Sequence, residues 1–130
     1  TLIQAAGAPG TTLTGDPRMK ERPIADLTTA LGKIGCAIEH LESPESLPIK
    51  VQAKGLAGGK ITLSGKVSSQ FVSSVLLSAP YAQEPVELHV PEAVSQQYIE
   101  MTLQLMAQFG IKVDREGTQV YRVPKGVYKN

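Results

Sequence analysis

The 130-residue sequence has no tryptophan, a single cysteine and only 5% aromatic residues. One thiol cannot form an intrachain disulfide, so cysteine usage points to a reducing, cytoplasmic compartment, and Cys36 itself reads as a buried thiol packed behind a helix. No apolar run approaches the ~20 residues of a membrane-spanning helix, which argues against a membrane partner. Charge of one sign is also missing. The formal net charge is +1, and no block of Lys or Arg interleaved with aromatic residues offers a nucleic-acid surface. His40 and His89 have no Cys or second His at ligand spacing, so no metal site is expected. Gly55 to Lys60 reads GLAGGK, one residue short of a phosphate-cradling P-loop and followed by Ile61 where Ser or Thr is needed, so it reads as a turn. The first residue is Thr1 and no basic-then-apolar leader follows. That is the expectation for a segment cut from a longer polypeptide, with any site in it incomplete.

What is present is an ordinary globular balance, with 42% hydrophobic and 19% charged residues in a length that suits one domain. Thr11 to Thr14 reads as a short strand and GDPRMKER (15–22) as a polar loop. Pro23 suits the first position of a helix whose apolar stripe is Ile24, Leu27, Leu31 and Ile34, closed by Gly35. On that reading Arg22 projects from the helix start. Cys36 to Leu41 alternates as a strand. Ile49–Ala53 and Lys60–Ser64 are further strands, joined through GLAGG as a hairpin. Val86–Val90 is another strand, and Ser95 stands where it can cap a helix with apolar positions Ile99, Leu103, Met106 and Phe109. Ile111–Arg115 and Gln119–Val123 close the chain as a hairpin.

The segment Lys66-Val67-Ser68-Ser69-Gln70-Phe71 stands out. Phe71, Val72, Val75, Leu76 and Ala79 recur at helical spacing up to Pro80, which places Ser68 or Ser69 at the N-cap. Free N–H groups and the positive end of the macrodipole lie there, and two hydroxyls add donors that suit a phosphate. Gln70 adds two donors and an acceptor fit for a hydroxyl-bearing substrate. Plain capping satisfies the same N–H groups without a ligand, so both readings stand on spacing alone.

The elements repeat. An offset of 75 residues carries Leu13 to Leu88, Ile24 to Ile99, Gly35 to Gly110 and Ile38 to Val113. Both copies read strand, helix, strand, strand. Residues 1–59 are then the end of one βαβαββ unit and residues 60–130 a complete one, together part of a single α/β domain. About one and a half units are present, and such a fragment is expected to leave sheet edge and helix surface without partners.

Three separated motifs, LTGDPRMKERPI (13–24), GGKITLSGKVSSQF (58–71) and SQQYIEMTLQLMAQFGI (95–111), resemble the 5-enolpyruvylshikimate-3-phosphate synthase family in the same order. SSVLLSAPYA (73–82) and YRVPKGVYKN (121–130) further resemble its fungal form within the pentafunctional arom polypeptide. The resemblance covers nearly all of the chain. It implies two domains built from repeated βαβαββ units (an inside-out α/β barrel of the enolpyruvyl transferase type), with substrates in the cleft between them. The implied reaction moves the enolpyruvyl group of phosphoenolpyruvate to the 5-hydroxyl of shikimate 3-phosphate and releases phosphate. It belongs to the shikimate pathway of aromatic amino acid biosynthesis, uses no metal or organic cofactor, and is open to glyphosate at the phosphoenolpyruvate site.

Residue by residue, the resemblance implies that Ser68, Ser69 and Ser95 hold the phosphate of shikimate 3-phosphate and that Tyr98 lies at the shikimate site. Gln70 would pack against the shikimate ring near both ligands, and Arg22 would grip phosphoenolpyruvate, a task suited to a planar guanidinium. Arg18 and Lys20 read as solvated charges. Tyr98 as a surface aromatic and Ser95 as a cap remain alternatives. The family's proton-transferring Asp and Glu, its Asn-Ala-Gly-Thr loop and further Lys, Ser and Arg ligands are not in this chain, so the segment alone is expected to be inactive and to need the remainder of its parent. Two other functions stay open: a relative acting on UDP-N-acetylglucosamine, and a non-catalytic α/β interaction module.

Overall fold

The structure, a computed structural model, describes residues 6, 10–52, 54–64, 68–92 and 95–130. The apolar stretch expected within residues 1–10, the strand end at Ala53, and Lys66 and Val67 ahead of the serine helix lie outside the described residues. The first half comprises β1 (Thr11–Leu13), α1 (Pro17–Lys20), α2 (Ala25–Lys33), β2 (Ala37–His40) and β3 (Ile49–Gln52). The second comprises β4 (Gly59–Thr62), α3 (Ser69–Ser78), β5 (Val86–His89), α4 (Gln96–Gln108), β6 (Asp114–Glu116) and β7 (Val120–Val123).

Two sheets result, ordered β1-β3-β2 and β4-β5-β7-β6. Among the described residues, only β4 and β5 pair in parallel. Strands β3 and β5 alternate buried with half-buried residues, the pattern of a sheet with one face on a core and one in water. The repeat is visible in the strand registers. Thr11, Thr12 and Leu13 pair with Val51, Lys50 and Ile49, and Val86, Glu87 and Leu88 pair with Val123, Arg122 and Tyr121. Glu39 faces Lys50 as Asp114 faces Arg122. Gly35 and Gly110, which follow the two equivalent helices, share a positive φ of 89° and 87°.

Strands β3 and β4 belong to different sheets, so the hairpin expected through GLAGG does not form. Leu56, only 1% exposed, turns into the core instead. Its neighbours then bond elsewhere: Ala57 N–H donates to the Ile34 carbonyl at 3.0 Å, while Gln83 and Glu84 N–H donate to the Leu56 and Ala57 carbonyls at 2.9 and 3.0 Å. Burying a leucine outweighs closing a local turn, because the backbone groups released by the turn still find partners.

Two helix starts also differ from expectation. Within the polar loop, Asp16 accepts from Met19 N–H at 2.9 Å and Pro17 takes the first helical position, so one turn, α1, forms there. Helix α2 begins at Ala25, not Pro23, because Ile24 N–H donates to the Glu45 carbonyl at 2.7 Å and holds Ile24 at the N-cap. The serine helix α3 ends at Ser78, and Pro80 sits inside a 3₁₀ turn, Ala79–Tyr81, that continues it. In α4, Ile99 and Met106 are buried and Tyr98, Met101 and Leu105 exposed, as is Phe109 at its C-cap.

One core joins α2, β4, α3, β5, α4 and β7, with Val72, Leu76, Leu88, Met106 and Val123 fully buried in it. Strands β4 and β5 run the same way, and β5 and β6 are both antiparallel to β7 and hence also run the same way. Helices α3 and α4 are the two crossovers, so each returns against the strands and their N-termini lie at one end. At the opposite end the C-terminal segment crosses both helices. Tyr128 Oη donates to the Leu77 carbonyl at 2.9 Å and Lys129 N–H to the Phe109 carbonyl at 2.9 Å. The Tyr128 ring packs on Tyr81 at 5.8 Å, and burial pushes its phenol up to about 12. The segment therefore supplies donors to carbonyls at the C-terminal ends of both helices.

Candidate functional site

Helices α3 and α4 enclose an open groove of about 820 Å³. Ser69, Gln70 and Tyr98 line its N-terminal end, and Leu77, Met101 and Leu105 line the rest with mainly apolar atoms. Midway, Ser73 Oγ and Thr102 Oγ1 meet at 2.8 Å, and the Thr102 hydroxyl lies 2.9 Å from the Tyr98 carbonyl. The small hydroxyl residues let the helices approach while the bond fixes their register. Nothing in a 3.6-residue period marks this pair in advance. The second apolar stripe of α4, Tyr98, Met101 and Leu105, is the sequence signal that reasoning from the Ile99/Met106 stripe passes over.

The serine helix has the cap its sequence predicts: Ser68 Oγ accepts from Gln70 N–H at 3.1 Å. A hydroxyl that accepts in this way retains its own proton for donation to a ligand. Ser69 stands in the first turn beside it. At the start of α4 the outcome is different, since Ser95 occupies the N-cap position but its side chain makes no cap bond. Among the described residues the hydroxyls of Ser69, Ser95 and Tyr98 and the Gln70 amide have no hydrogen-bond partner. Tyr98 is 62% exposed. Uncommitted donors at the positive ends of two helices that share one end can receive an anion without first breaking internal bonds.

Arg22 is exposed and precedes the α2 N-cap by two residues. Its N–H donates to the Met19 carbonyl at 3.3 Å, and its guanidinium has no partner among the described residues. Lys20 instead pairs with Glu42 at 3.5 Å. The structure thus brings Ser69, Gln70 and Tyr98 to one groove, while Ser68, Ser95 and Arg22 do not line it. No group of three or more His, Cys, Asp and Glu side chains able to hold a metal occurs among the described residues. No helix among them is long and apolar enough to cross a membrane.

A family model described as EPSP synthase (3-phosphoshikimate 1-carboxyvinyltransferase) matches residues 2–130. The chain belongs to the EPSP synthase family. Two solved structures of EPSP synthase from Acinetobacter baumannii match it with a TM-score of 0.78 at 21% identity, covering 98% of this chain and 28–29% of theirs. The enolpyruvyl transferase NikO from Streptomyces tendae matches with a TM-score of 0.69 at 16% identity, covering 98% of this chain and 29% of that one. At these identities the likeness concerns the fold: mixed α/β, built from repeated βαβαββ units, as expected for part of an EPSP synthase family domain. The chain spans less than a third of the length of these solved structures.

Proposed function

We propose that this chain is part of an enzyme that transfers the enolpyruvyl group of phosphoenolpyruvate to the 5-hydroxyl of shikimate 3-phosphate, in the shikimate pathway. Within it, residues 1–59 end one βαβαββ unit and residues 60–130 form a complete one. Ser68, Ser69, Gln70, Ser95 and Tyr98 bind shikimate 3-phosphate, and Arg22, with Gln70, binds phosphoenolpyruvate. The parent is the fungal-type domain of a pentafunctional arom polypeptide in the cytoplasm. Its second domain completes the site, and no metal or organic cofactor takes part.

The observation that carries this reading is the meeting of Ser69, Gln70 and Tyr98 at one end of a groove between two helices with a shared N-terminal end. Family membership names the chemistry. In the reaction a C–O bond forms between the 5-oxygen and the enol carbon, the hydroxyl proton leaves, the methylene carbon is transiently protonated, and the C–O bond to phosphate breaks. The residues of this chain orient and neutralise; the acid and base come from elsewhere in the parent.

Ser68→Ala combined with Ser69→Ala in the intact enzyme tests the assignment. Losing hydrogen bonds to a charged group, ~1.5–3 kcal/mol each, predicts a KM for shikimate 3-phosphate raised, or a turnover lowered, by about tenfold or more. Unchanged kinetics refute it. Assaying shikimate 3-phosphate beside UDP-N-acetylglucosamine as acceptor checks the substrate class.

A further inference from the structure

His40 ends β2 with its ring half-buried between the first turn of α2 and the 41–48 loop. Its Nδ1 lies 3.0 Å from the Ser46 carbonyl oxygen and its Nε2 3.0 Å from Thr28 Oγ1. A carbonyl only accepts, so Nδ1 carries a proton and donates it to Ser46, which leaves Nε2 for the Thr28 hydroxyl. Thr28 Oγ1 also lies 3.1 Å from the Ala25 carbonyl in the same helical turn. Thr28 and Ser46 are 9% and 8% exposed, so water does not compete freely for these bonds. The loop holds the helix at a second point through Ile24 N–H and the Glu45 carbonyl, 2.7 Å apart. Apolar residues would fill such a site at lower desolvation cost, whereas a polar ring with both nitrogens engaged fixes one geometry. Two residues ahead of this anchored entry stands Arg22, whose guanidinium has no partner of its own among the described residues. The place of its Cα, and so the reach of the guanidinium, is therefore set by the backbone that His40 and the loop hold.

We infer that His40 is a positioning residue for Arg22: by tying the first turn of α2 to the 41–48 loop, it holds the Arg22 backbone where the guanidinium can reach the anion it receives. The inference rests on the reading of Arg22 as a phosphoenolpyruvate ligand. In the intact enzyme, His40→Phe keeps a ring but removes both bonds, and His40→Gln returns a donor and an acceptor. The expected result for His40→Phe is a KM for phosphoenolpyruvate raised about three- to tenfold, the factor for one or two ordinary hydrogen bonds. The KM for shikimate 3-phosphate stays unchanged, His40→Gln recovers part of the loss, and the effect disappears in an Arg22→Ala background. A fall in Tm with both KM values intact, or an equal rise in both, overturns the inference and leaves His40 a structural residue. If Arg22→Ala alone leaves the phosphoenolpyruvate KM unchanged, the Arg22 reading fails and the inference falls with it. If Arg22→Ala raises it and His40→Phe does not, only the inference fails. Should His40→Phe not fold, Thr28→Val cuts the same link at Nε2 and carries the same expectations.

Discussion

Gly58 and Gly59 form a matched pair for separating backbone strain from steric exclusion. Both have strongly positive φ, 96° and 103°. A Cβ on Gly58 would press against the Glu84 carbonyl oxygen and stand 2.8 Å from its carbon, whereas a Cβ on Gly59 meets nothing within 4 Å. Glu84 cannot retreat easily, because its N–H donates to Ala57 at 3.0 Å and the adjacent Pro85 carbonyl accepts from Gly59 N–H at 3.0 Å. Gly59→Ala therefore carries only the strain of an L-residue in a sparsely populated region, roughly 1–3 kcal/mol. Gly58→Ala adds overpacking against backbone, typically another ~1–3 kcal/mol. The two variants should differ by at least about 1 kcal/mol, which at a urea m-value of ~2 kcal/mol/M separates their unfolding midpoints by roughly 0.5 M. Circular dichroism during urea titration measures this directly. Equal midpoints would show that the 56–59 connector yields, and that close approach to the 83–85 segment does not dictate the path from β3 to β4.

Three further outcomes follow from contacts elsewhere. Thr102→Val keeps the shape of the side chain but removes the partner of Ser73 Oγ; a loss of about 1–2 kcal/mol is expected in thermal melts, and none would mean that the groove's register is held by packing alone. Tyr128→Phe removes the donor to the Leu77 carbonyl and should cost about 0.5–1.5 kcal/mol, with faster hydrogen exchange confined to the last turns of α3 and α4. Burial pushes the Cys36 thiol from its ordinary 9.0 to about 11, so the fold disfavours the thiolate. That contribution is complete below pH 9 and is lost as pH rises towards 11. Cys36→Ala should flatten the fall in stability across that window, and an unchanged alkaline slope would contradict a buried thiol.

Helical period and strand alternation are local properties, and they locate α3, α4, β3 and β5 to within a residue or two. The 75-residue offset is equally local in origin and relates β1 to β5 and β2 to β6, while their partners β3 and β7 are offset by 72 residues. What the sequence could not reveal depends on contacts between distant residues. The path after β3 turns on where Leu56 is buried, and the start of α2 turns on a carbonyl 21 positions away, at Glu45. For the candidate site, Ser69, Gln70 and Tyr98 meet because crossover topology makes their helices run the same way, which spacing within either helix cannot express. Ser95 looked like a cap and is not one by its side chain. Arg22 precedes a helix that starts later than Pro23 suggests, and it lies outside the groove.

The crossing of residues 126–129 over the ends of α3 and α4 makes the pair a set of tongs. Fastened at the handles and pinned at the middle by Ser73 and Thr102, the two rods carry Ser69 and Tyr98 at their tips, both lining the groove. Changing Tyr128 would loosen that fastening at Leu77, the end of the groove away from Ser69, Gln70 and Tyr98.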